Sequence, residues 1–187
     1  RIESRGLGDV YKRQLISLIL VGGWTRLTDS GLSIVEWKPI TGMIPPFNSE
    51  GWIVEFEKYK SIPEFKLVNF DITMDEFKFI YWWEWGHRQL ARFIGIVWFV
   101  GFLILSIMRQ IPERWTLYFF CIGLLGALQA FLGWWMVSSG LDGQVVDVFS
   151  YRLAIHLTMA FIILALIFWA ILFHSENSAK IFESRRH

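Results

Sequence analysis

WTLYFFCIGLLGALQAFLGWWMV, residues 115–137, contains no charged side chain and one amide, Gln129. About 20 consecutive apolar residues suffice for an α-helix to cross the hydrocarbon core of a bilayer. The stretch is therefore predicted to be a transmembrane helix, and the segments on either side are interpreted relative to it.

Two further stretches have the same character. Residues 80–108 join an aromatic run to an uncharged apolar tract, and residues 151–173 are apolar apart from Arg152 and His156. Both are predicted to be transmembrane helices. Residues 15–27 begin with an apolar run that is too short to cross, so they are interpreted as a truncated first transmembrane helix. The polar residues 1–14 are interpreted as a non-native segment.

The composition excludes several other classes of protein. Hydrophobic residues make up 54% of the chain, charged residues only 19%, and the mean hydropathy is +0.41. Soluble domains carry about 25% charged residues. A net charge of +1 provides no basic field for nucleic acid, and a single cysteine, Cys121, excludes a disulfide scaffold. The chain is predicted to be an integral membrane protein.

Short basic segments predict the orientation of these helices. Arg109 and Arg114 lie in the loop after the second helix, and residues 174–187 form a basic tail. Basic loops stay on the cytoplasmic or matrix side. Residues 28–79 are then an outer loop, and they contain more acidic than basic side chains.

The outer loop is predicted to hold short amphipathic helices. Residues 51–60 place apolar side chains at positions 52, 53, 56 and 59. Thr73 and Glu76 match a capping box, so the helix that carries His87 is predicted to begin near Thr73, outside the hydrocarbon. The predicted fold is an all-α integral membrane four-helix bundle with this outer loop.

His87 and His156 are the strongest candidates for chemistry. Each lies toward the outer end of a helix that runs from the outer to the inner side, one to two turns inside it. Ionisable groups within a membrane span are costly and usually face the bundle interior. Two imidazoles at matching depth predict axial ligation of a heme iron. The alternative is that each imidazole only bonds a neighbouring carbonyl group.

Other polar residues near the pair are predicted to assist it. Glu84 shares a helix face with His87 and could orient the imidazole or act as an acid or base, or it could simply be solvated at the membrane edge. Gln129 could bond across the bundle, structurally or at a ligand. No role is assigned to His174 or His187.

Three arginines, Arg88, Arg92 and Arg152, are candidates for pairing with heme propionates, because guanidinium binds carboxylate in a bidentate manner. Arg88 and Arg152 could instead extend to lipid headgroups. Small residues of the 115–137 helix indicate close helix packing or space for a flat macrocycle: Gly123, Gly126, Ala130 and Gly133.

Six stretches in order closely resemble the heme A synthase family. They are GGWTRLTDSGLS at 22–33, WKPITG at 37–42 with Pro45 and Pro46, EFEKYK at 55–60, EWGHR at 84–88, QAFLGWWMV at 129–137 and YRLAIH at 151–156. Because the outer loop lacks a cysteine pair, the chain is similar to the proteobacterial and mitochondrial branch of the family.

The resemblance implies a fold of eight helices in two pseudo-symmetric bundles, of which this chain is the N-terminal half. It implies oxidation of the C8 methyl group of heme O to a formyl group, giving heme A for terminal oxidases. His87 and His156 would be the iron ligands and Glu84 the catalytic residue. A heme b is expected in the missing half, and the fragment is expected to be inactive alone.

The resemblance also implies partners and a location. Expected partners are heme O, the missing helical bundle, an unidentified electron donor and the lipid bilayer, with heme O synthase and a second copy of the chain as further candidates; nucleic acid is not expected. The location is a bacterial or mitochondrial inner membrane. The alternatives are a non-catalytic bis-His heme electron-transfer subunit and an assembly subunit without iron.

Overall fold

The chain is all-helical. The computed structural model describes residues 2–141 and 145–184, and the side chains of residues 12–141 and 145–173. The helices are α1 (Ile2–Leu27), α2 (Ser49–Lys60), α3 (Pro63–Leu67), α4 (Met74–Ile107), α5 (Glu113–Leu141) and α6 (Ser150–Ser184), with a 3₁₀ turn at Thr41–Met43. No strand occurs within the described ranges, so the predicted all-α class is confirmed.

Three helical segments are long and apolar enough to cross a membrane: Met74–Ile107, Glu113–Leu141 and Ser150–Phe173. They contain the predicted spans 115–137 and 151–173 and all but the last residue of 80–108, and each begins or ends further out than predicted at its outer end. The fourth helix, α1, is continuous from Ile2 to Leu27, so residue 15 is not a helix boundary. The predicted tail at 174–187, with His174 and His187, lies outside the residues whose side chains are described.

The four long helices pack as a closed ring. α1 lies against α4, α4 against α5, α5 against α6, and α6 against α1. Helices α1 and α5 therefore lie diagonally across the ring from each other, and so do α4 and α6. Since short links join α4 to α5 and α5 to α6, neighbouring helices are antiparallel and diagonal helices are parallel. Side chains of α4 and α6 can meet at the centre of the ring.

The inner half of the ring is filled by apolar side chains from all four helices. Ile122 of α5 and Ile163 of α6 are buried there, and Leu15 of α1 and Trp98 of α4 pack against them. Burial of a large aliphatic side chain stabilises the fold by about 1.5–3 kcal/mol in water, although lipid reduces this term for helices inside a bilayer. This cluster closes the bundle below the level of the two histidines.

The outer loop folds over the start of α4 and forms a second core. The predicted amphipathic helix is observed as α2, which Asn48 caps by accepting a hydrogen bond from the Gly51 amide at 2.9 Å. Its buried side chains, Phe56 and Tyr59, pack against Phe77 of α4 at ring-centroid distances of 4.9 and 5.3 Å. The helix therefore packs on protein along this face.

The capping box at the start of α4 is confirmed. The Thr73 hydroxyl accepts from the Glu76 amide at 3.3 Å, and the Glu76 carboxylate accepts from the Thr73 amide at 2.8 Å. These bonds satisfy amide groups that the first turn of a helix leaves free. The first turns of α4 consequently extend beyond the membrane and carry the outer core.

Candidate functional site

The two histidines lie on diagonal helices and are both largely buried. His87 is on α4 and His156 is on α6. His156 lies less than two turns inside its helix, as predicted, but His87 lies about three and a half turns inside α4. The prediction of one to two turns was wrong for His87, because α4 begins at Met74.

Each imidazole has a ring nitrogen that forms no hydrogen bond. The Nδ1 atoms of His87 and His156 are buried and have no hydrogen-bond partner. Buried polar side-chain atoms in proteins nearly always have a partner, so two orphaned ring nitrogens in one bundle need an explanation. Within the described side chains, no group of three or more His, Cys, Asp or Glu lies together.

Gln129 of α5 contacts His156, which matches the prediction that it bonds across the bundle. Its amide nitrogen donates to the His156 carbonyl oxygen at 3.0 Å and lies 3.4 Å from the His156 Nε2 atom. The Gln129 Oε1 atom is buried without a partner. Gln129 thus holds the backbone of α6 at the histidine and keeps one acceptor free beside the ring.

Glu84 is buried beneath the outer loop and is only 3% exposed. One carboxylate oxygen, Oε2, accepts from the Ser33 hydroxyl and from the Ile34 amide, both at 2.7 Å. The alternative that Glu84 is merely solvated at the membrane edge is therefore wrong. The carboxylate ties the 33–34 segment to α4, one helical turn above His87.

Arg88 completes this buried cluster. Its guanidinium forms a salt bridge with the Oε1 atom of Glu84 and donates to the Ile34 carbonyl at 3.1 Å and the Glu36 carbonyl at 3.3 Å. The charge of Glu84 is thereby matched within the protein, as a buried ion pair requires. In this structure Arg88 does not extend to the headgroup region.

The other two arginines also bond to backbone carbonyls. Arg92 donates to Pro39 at 3.0 Å and to Lys38 at 3.1 Å, which fixes the loop above α4. Arg152 donates to the Trp135 carbonyl at 2.6 Å, and its guanidinium lies 4.4 Å from the Trp135 ring centroid. Arg88 and Arg92 line a cavity of about 310 Å³ beneath the outer loop. Propionate binding by the three arginines stays a prediction.

The glycines of α5 make room for side chains of neighbouring elements. Gly123 lies against Trp98, and Gly133 lies against the His156 imidazole. Gly126 has no neighbouring atom within the contact distance of an added Cβ. The close packing at these two glycines is thus contact with a side chain of another helix. At Gly133 the space is occupied by an imidazole ring.

Charged groups of the outer loop form a compact network outside the spans. Lys58 donates to Glu36 and Glu55, both at 2.6 Å. Burial lowers the pKa of Lys58, but these two hydrogen bonds outweigh burial and the pKa is raised. The pKa of Glu36 is lowered by hydrogen bonds from Lys38 and Lys58. The network joins α2 to the segment that contacts Arg88.

A second carboxyl group is buried in the outer core. Glu64 of α3 is 7% exposed, and its Oε2 atom has no hydrogen-bond partner. Burial raises the pKa of Glu64 to about 7, and the negative charges of Glu84, Asp29 and Asp147 act in the same direction, against a hydrogen bond from Tyr59. No sequence motif had singled out this residue.

Several contacts around the site had not been predicted. Gly22 of α1 lies against the His87 imidazole. Arg26, at the end of α1, forms two hydrogen bonds with the Asp147 carboxylate at 2.9 and 2.6 Å, which joins α1 to the loop before α6. Ser33 belongs to the motif at 22–33, but its partner Glu84 is 51 residues away. The motif indicated that these residues matter and could not indicate their partners.

The side chains fit a heme held between two imidazoles. Neutral imidazole is a common ligand of heme iron. The Nδ1 atom of each ring is buried and has no hydrogen-bond partner, and the two rings lie on diagonal helices. Each ring also lies against a glycine, so the neighbouring helix leaves space beside it. These features come from the chain itself and agree with the ligand pair expected from the sequence.

Comparison with known proteins gives a consistent assignment. A family model described as cytochrome oxidase assembly protein matches residues 14–187. The heme A synthase of Dinoroseobacter shibae is 52% identical over 190 residues, covering 100% of this chain and 50% of that protein. Those of Cereibacter sphaeroides and Paracoccus denitrificans are 52% identical over 92% and 91% of the chain, and 44% and 45% of their own length.

The chain therefore spans about half the length of the curated relatives it matches. No solved structure gives a significant match to it.

Proposed function

The chain belongs to the cytochrome oxidase assembly family that includes the heme A synthases, and we propose that it forms the heme O binding half of such an enzyme. It is a multi-pass protein of the cell membrane and takes part in heme A biosynthesis. In the proposed reaction, the C8 methyl group of heme O is oxidised to a formyl group. The observation that carries the proposal is the pair of imidazoles on diagonal helices whose Nδ1 atoms are buried without a hydrogen-bond partner.

His87 and His156 would hold the iron of heme O from its two faces. The bound heme and an oxidant supply the oxidising chemistry, and the chain contributes binding, orientation and exclusion of water. Gln129 would keep α6 in place at His156, since it donates to the His156 carbonyl at 3.0 Å. The apolar cluster around Ile122 and Ile163 would close the inner side of the site.

The arginines at the outer side would receive the propionates. Arg88 and Arg152 lie on the outer halves of α4 and α6, Arg92 lies near the middle of α4, and Arg88 and Arg92 line the cavity beneath the outer loop. Each guanidinium bonds to backbone carbonyl groups, which a propionate could replace or supplement. Guanidinium pairs with carboxylate more strongly than with a neutral carbonyl group.

Glu84 is proposed as the acid or base of the site. It is a buried carboxylate one helical turn from His87, held in one orientation by Ser33, the Ile34 amide and Arg88. Loss of a proton from a hydroxylated methyl group needs a base within reach, and a fixed carboxylate can serve. The same hydrogen bonds would keep that carboxylate from turning toward solvent.

The remaining parts of the enzyme are proposed by analogy with the relatives, whose chains are about twice as long. A second helical bundle with a heme b would relay electrons from a donor whose identity is open. Heme O synthase is proposed as the supplier of the substrate, and a second copy of the chain as a further partner. This chain alone would bind heme O without completing the oxidation.

Replacement of the two histidines tests the proposal. The protein is expressed with heme O synthase, purified, and its extracted hemes are separated by chromatography. Wild type should retain heme O or its oxidised products, while His87→Ala and His156→Ala should lose this heme because an axial ligand is missing. Cys121→Ala, at an exposed site on α5, should retain it.

Two outcomes would contradict the proposal. Wild-type protein that retains only heme B would support the electron-transfer subunit. Wild-type protein with no Soret band under the same conditions would support the assembly subunit without iron.

A further inference from the structure

Two glycines hold the two imidazoles, and they do so with nearly the same geometry. A Cβ atom built on Gly22 of α1 would lie 2.9 Å from the His87 Cε1 atom, and one built on Gly133 of α5 would lie 2.9 Å from the His156 Cε1 atom. Real Cβ atoms essentially never approach a neighbour this closely. Any other residue at either position would have to move the imidazole or the helix.

The ring nitrogens are placed alike in both contacts. The distances from the added Cβ are 3.4 Å to Nδ1 and 3.5 Å to Nε2 of His87, and 3.5 and 3.7 Å to the same atoms of His156. Each glycine is thus opposite the Cε1 edge of the ring, between the two nitrogens. The chain repeats this contact once in α1 with α4 and once in α5 with α6.

Polar contacts further out join the two helices of each pair. The Thr25 hydroxyl donates to the Val21 carbonyl of its own helix at 2.9 Å and lies 3.4 Å from the Trp83 carbonyl of α4, close to the contact of Gly22 with His87. Arg152 of α6 donates to the Trp135 carbonyl of α5 at 2.6 Å, next to the contact of Gly133 with His156. Gly133 therefore cannot slide away from its ring without breaking a bond to the backbone.

Backbone conformation does not explain these glycines. Among the described residues no glycine has a positive φ, and both positions are helical. Glycine inside a helix is less favourable than alanine by about 1 kcal/mol, so alanine would be preferred if space allowed. Gly23 and Gly126, on the same two helices, have no atom within 4 Å of an added Cβ and serve as matched controls.

We propose that Gly22 and Gly133 are positioning residues that set the ring orientation of His87 and His156 for heme ligation. The inference rests on the proposed function, because it assumes that these imidazoles bind iron. It is supported independently by the unpartnered Nδ1 atoms: no hydrogen bond fixes either ring at this nitrogen, and His156 has only the Gln129 amide 3.4 Å from its Nε2 atom. The steric wall of the glycine backbone takes the place of a hydrogen bond.

The test uses the full-length protein with bound heme and compares Gly22→Ala and Gly133→Ala with Gly23→Ala and Gly126→Ala. The readouts are the electron paramagnetic resonance spectrum of the ferric low-spin heme, which depends on ring orientation, and the affinity for added heme. The spectrum of the His87→Ala/His156→Ala protein is subtracted to remove any second heme.

Gly22→Ala and Gly133→Ala should shift the low-spin signal of this site and weaken heme binding by about three- to tenfold, as expected for an imidazole forced off its rotamer. The Gly23→Ala and Gly126→Ala variants should match wild type in both readouts. A low-spin signal that is the same in all four variants would overturn the glycine inference and leave the proposed function intact. A wild-type protein with no signal after subtraction would overturn the proposed function.

A folding failure is also informative. If Gly22→Ala does not fold, the Gly22→Ala/His87→Ala protein should fold again, because removal of the ring removes the clash. The corresponding pair at positions 133 and 156 should behave alike. If the double variants also fail to fold, the glycines serve helix packing alone and the proposal is wrong.

Discussion

Glu84 illustrates how a single residue gains a role from its surroundings. Its carboxylate is buried, charge-paired with Arg88, and bonded to Ser33 and the Ile34 amide. A buried charge with this set of partners is held in place more firmly than a surface carboxylate. The residue therefore both fastens the outer loop to α4 and presents a carboxylate one turn from His87.

Glu84→Gln in the full-length protein should change the products of the reaction. An amide cannot accept a proton, so hydroxylated heme intermediates should accumulate and heme A should fall, as measured by chromatography of extracted hemes. Glu57→Gln, on the exposed side of α2, is the control: it removes a carboxylate far from Glu84, so the product distribution should stay normal. An unchanged product distribution in Glu84→Gln would show that this carboxylate is only structural.

At the scale of elements, the outer loop is a folded unit with its own core and its own charges. Helix α2 packs on the first turns of α4 through Phe56, Tyr59 and Phe77, and Phe65 of α3 packs against Phe56 and Tyr59. Glu64 of α3 is buried among these groups, and its pKa is raised to about 7 chiefly by burial. The folded loop therefore favours the protonated form of this carboxyl group.

The stability of the outer loop should fall as pH rises from about 4.5 to 7. In this window the unfolded chain has lost the Glu64 proton while the folded protein retains it, so the free energy of unfolding falls with each unit by which the pH rises. The loss is at most about 3 kcal/mol. Glu64→Gln should flatten the dependence of the melting temperature between pH 4.5 and 7, measured by near-ultraviolet circular dichroism. Glu57→Gln, on the exposed side of α2, should keep it; equal slopes for wild type and Glu64→Gln would disprove the prediction.

For the whole molecule, the orientation in the membrane follows from charge. The link between α4 and α5 carries Arg109 and Arg114, and the outer loop carries an excess of acidic side chains. The two lie at opposite ends of α4, which is long enough to cross the bilayer. The loop that covers Glu84 and Arg88 should therefore face the outer side.

Cysteine labelling can measure this orientation. In a Cys121→Ala background, a cysteine in place of Lys66 should react with a membrane-impermeant maleimide in intact spheroplasts, because α3 lies in the outer loop. A cysteine in place of Gln110 should react only after permeabilisation, because it lies in the basic link. Both sites should label equally in detergent. Labelling of position 110 and protection of position 66 in intact spheroplasts would reverse the topology.

The sequence by itself determined the helical class, the three membrane spans and the start of α4 at Thr73, and it singled out the two histidines as the candidate iron ligands. Hydropathy, helical periodicity and a capping box act over a few residues, so they can be read from neighbouring letters. The sequence also gave the family, because its motifs occur in a fixed order.

Only the tertiary structure decided which side chains meet. The contacts of Glu84 with Ser33, of His87 with Gly22 and of Arg26 with Asp147 join residues from 51 to 121 positions apart. No local rule specifies such pairs, because they depend on how the four long helices close into a ring and how far each is shifted along its axis. That closure places an imidazole against a glycine twice, a repeat that the linear sequence does not display.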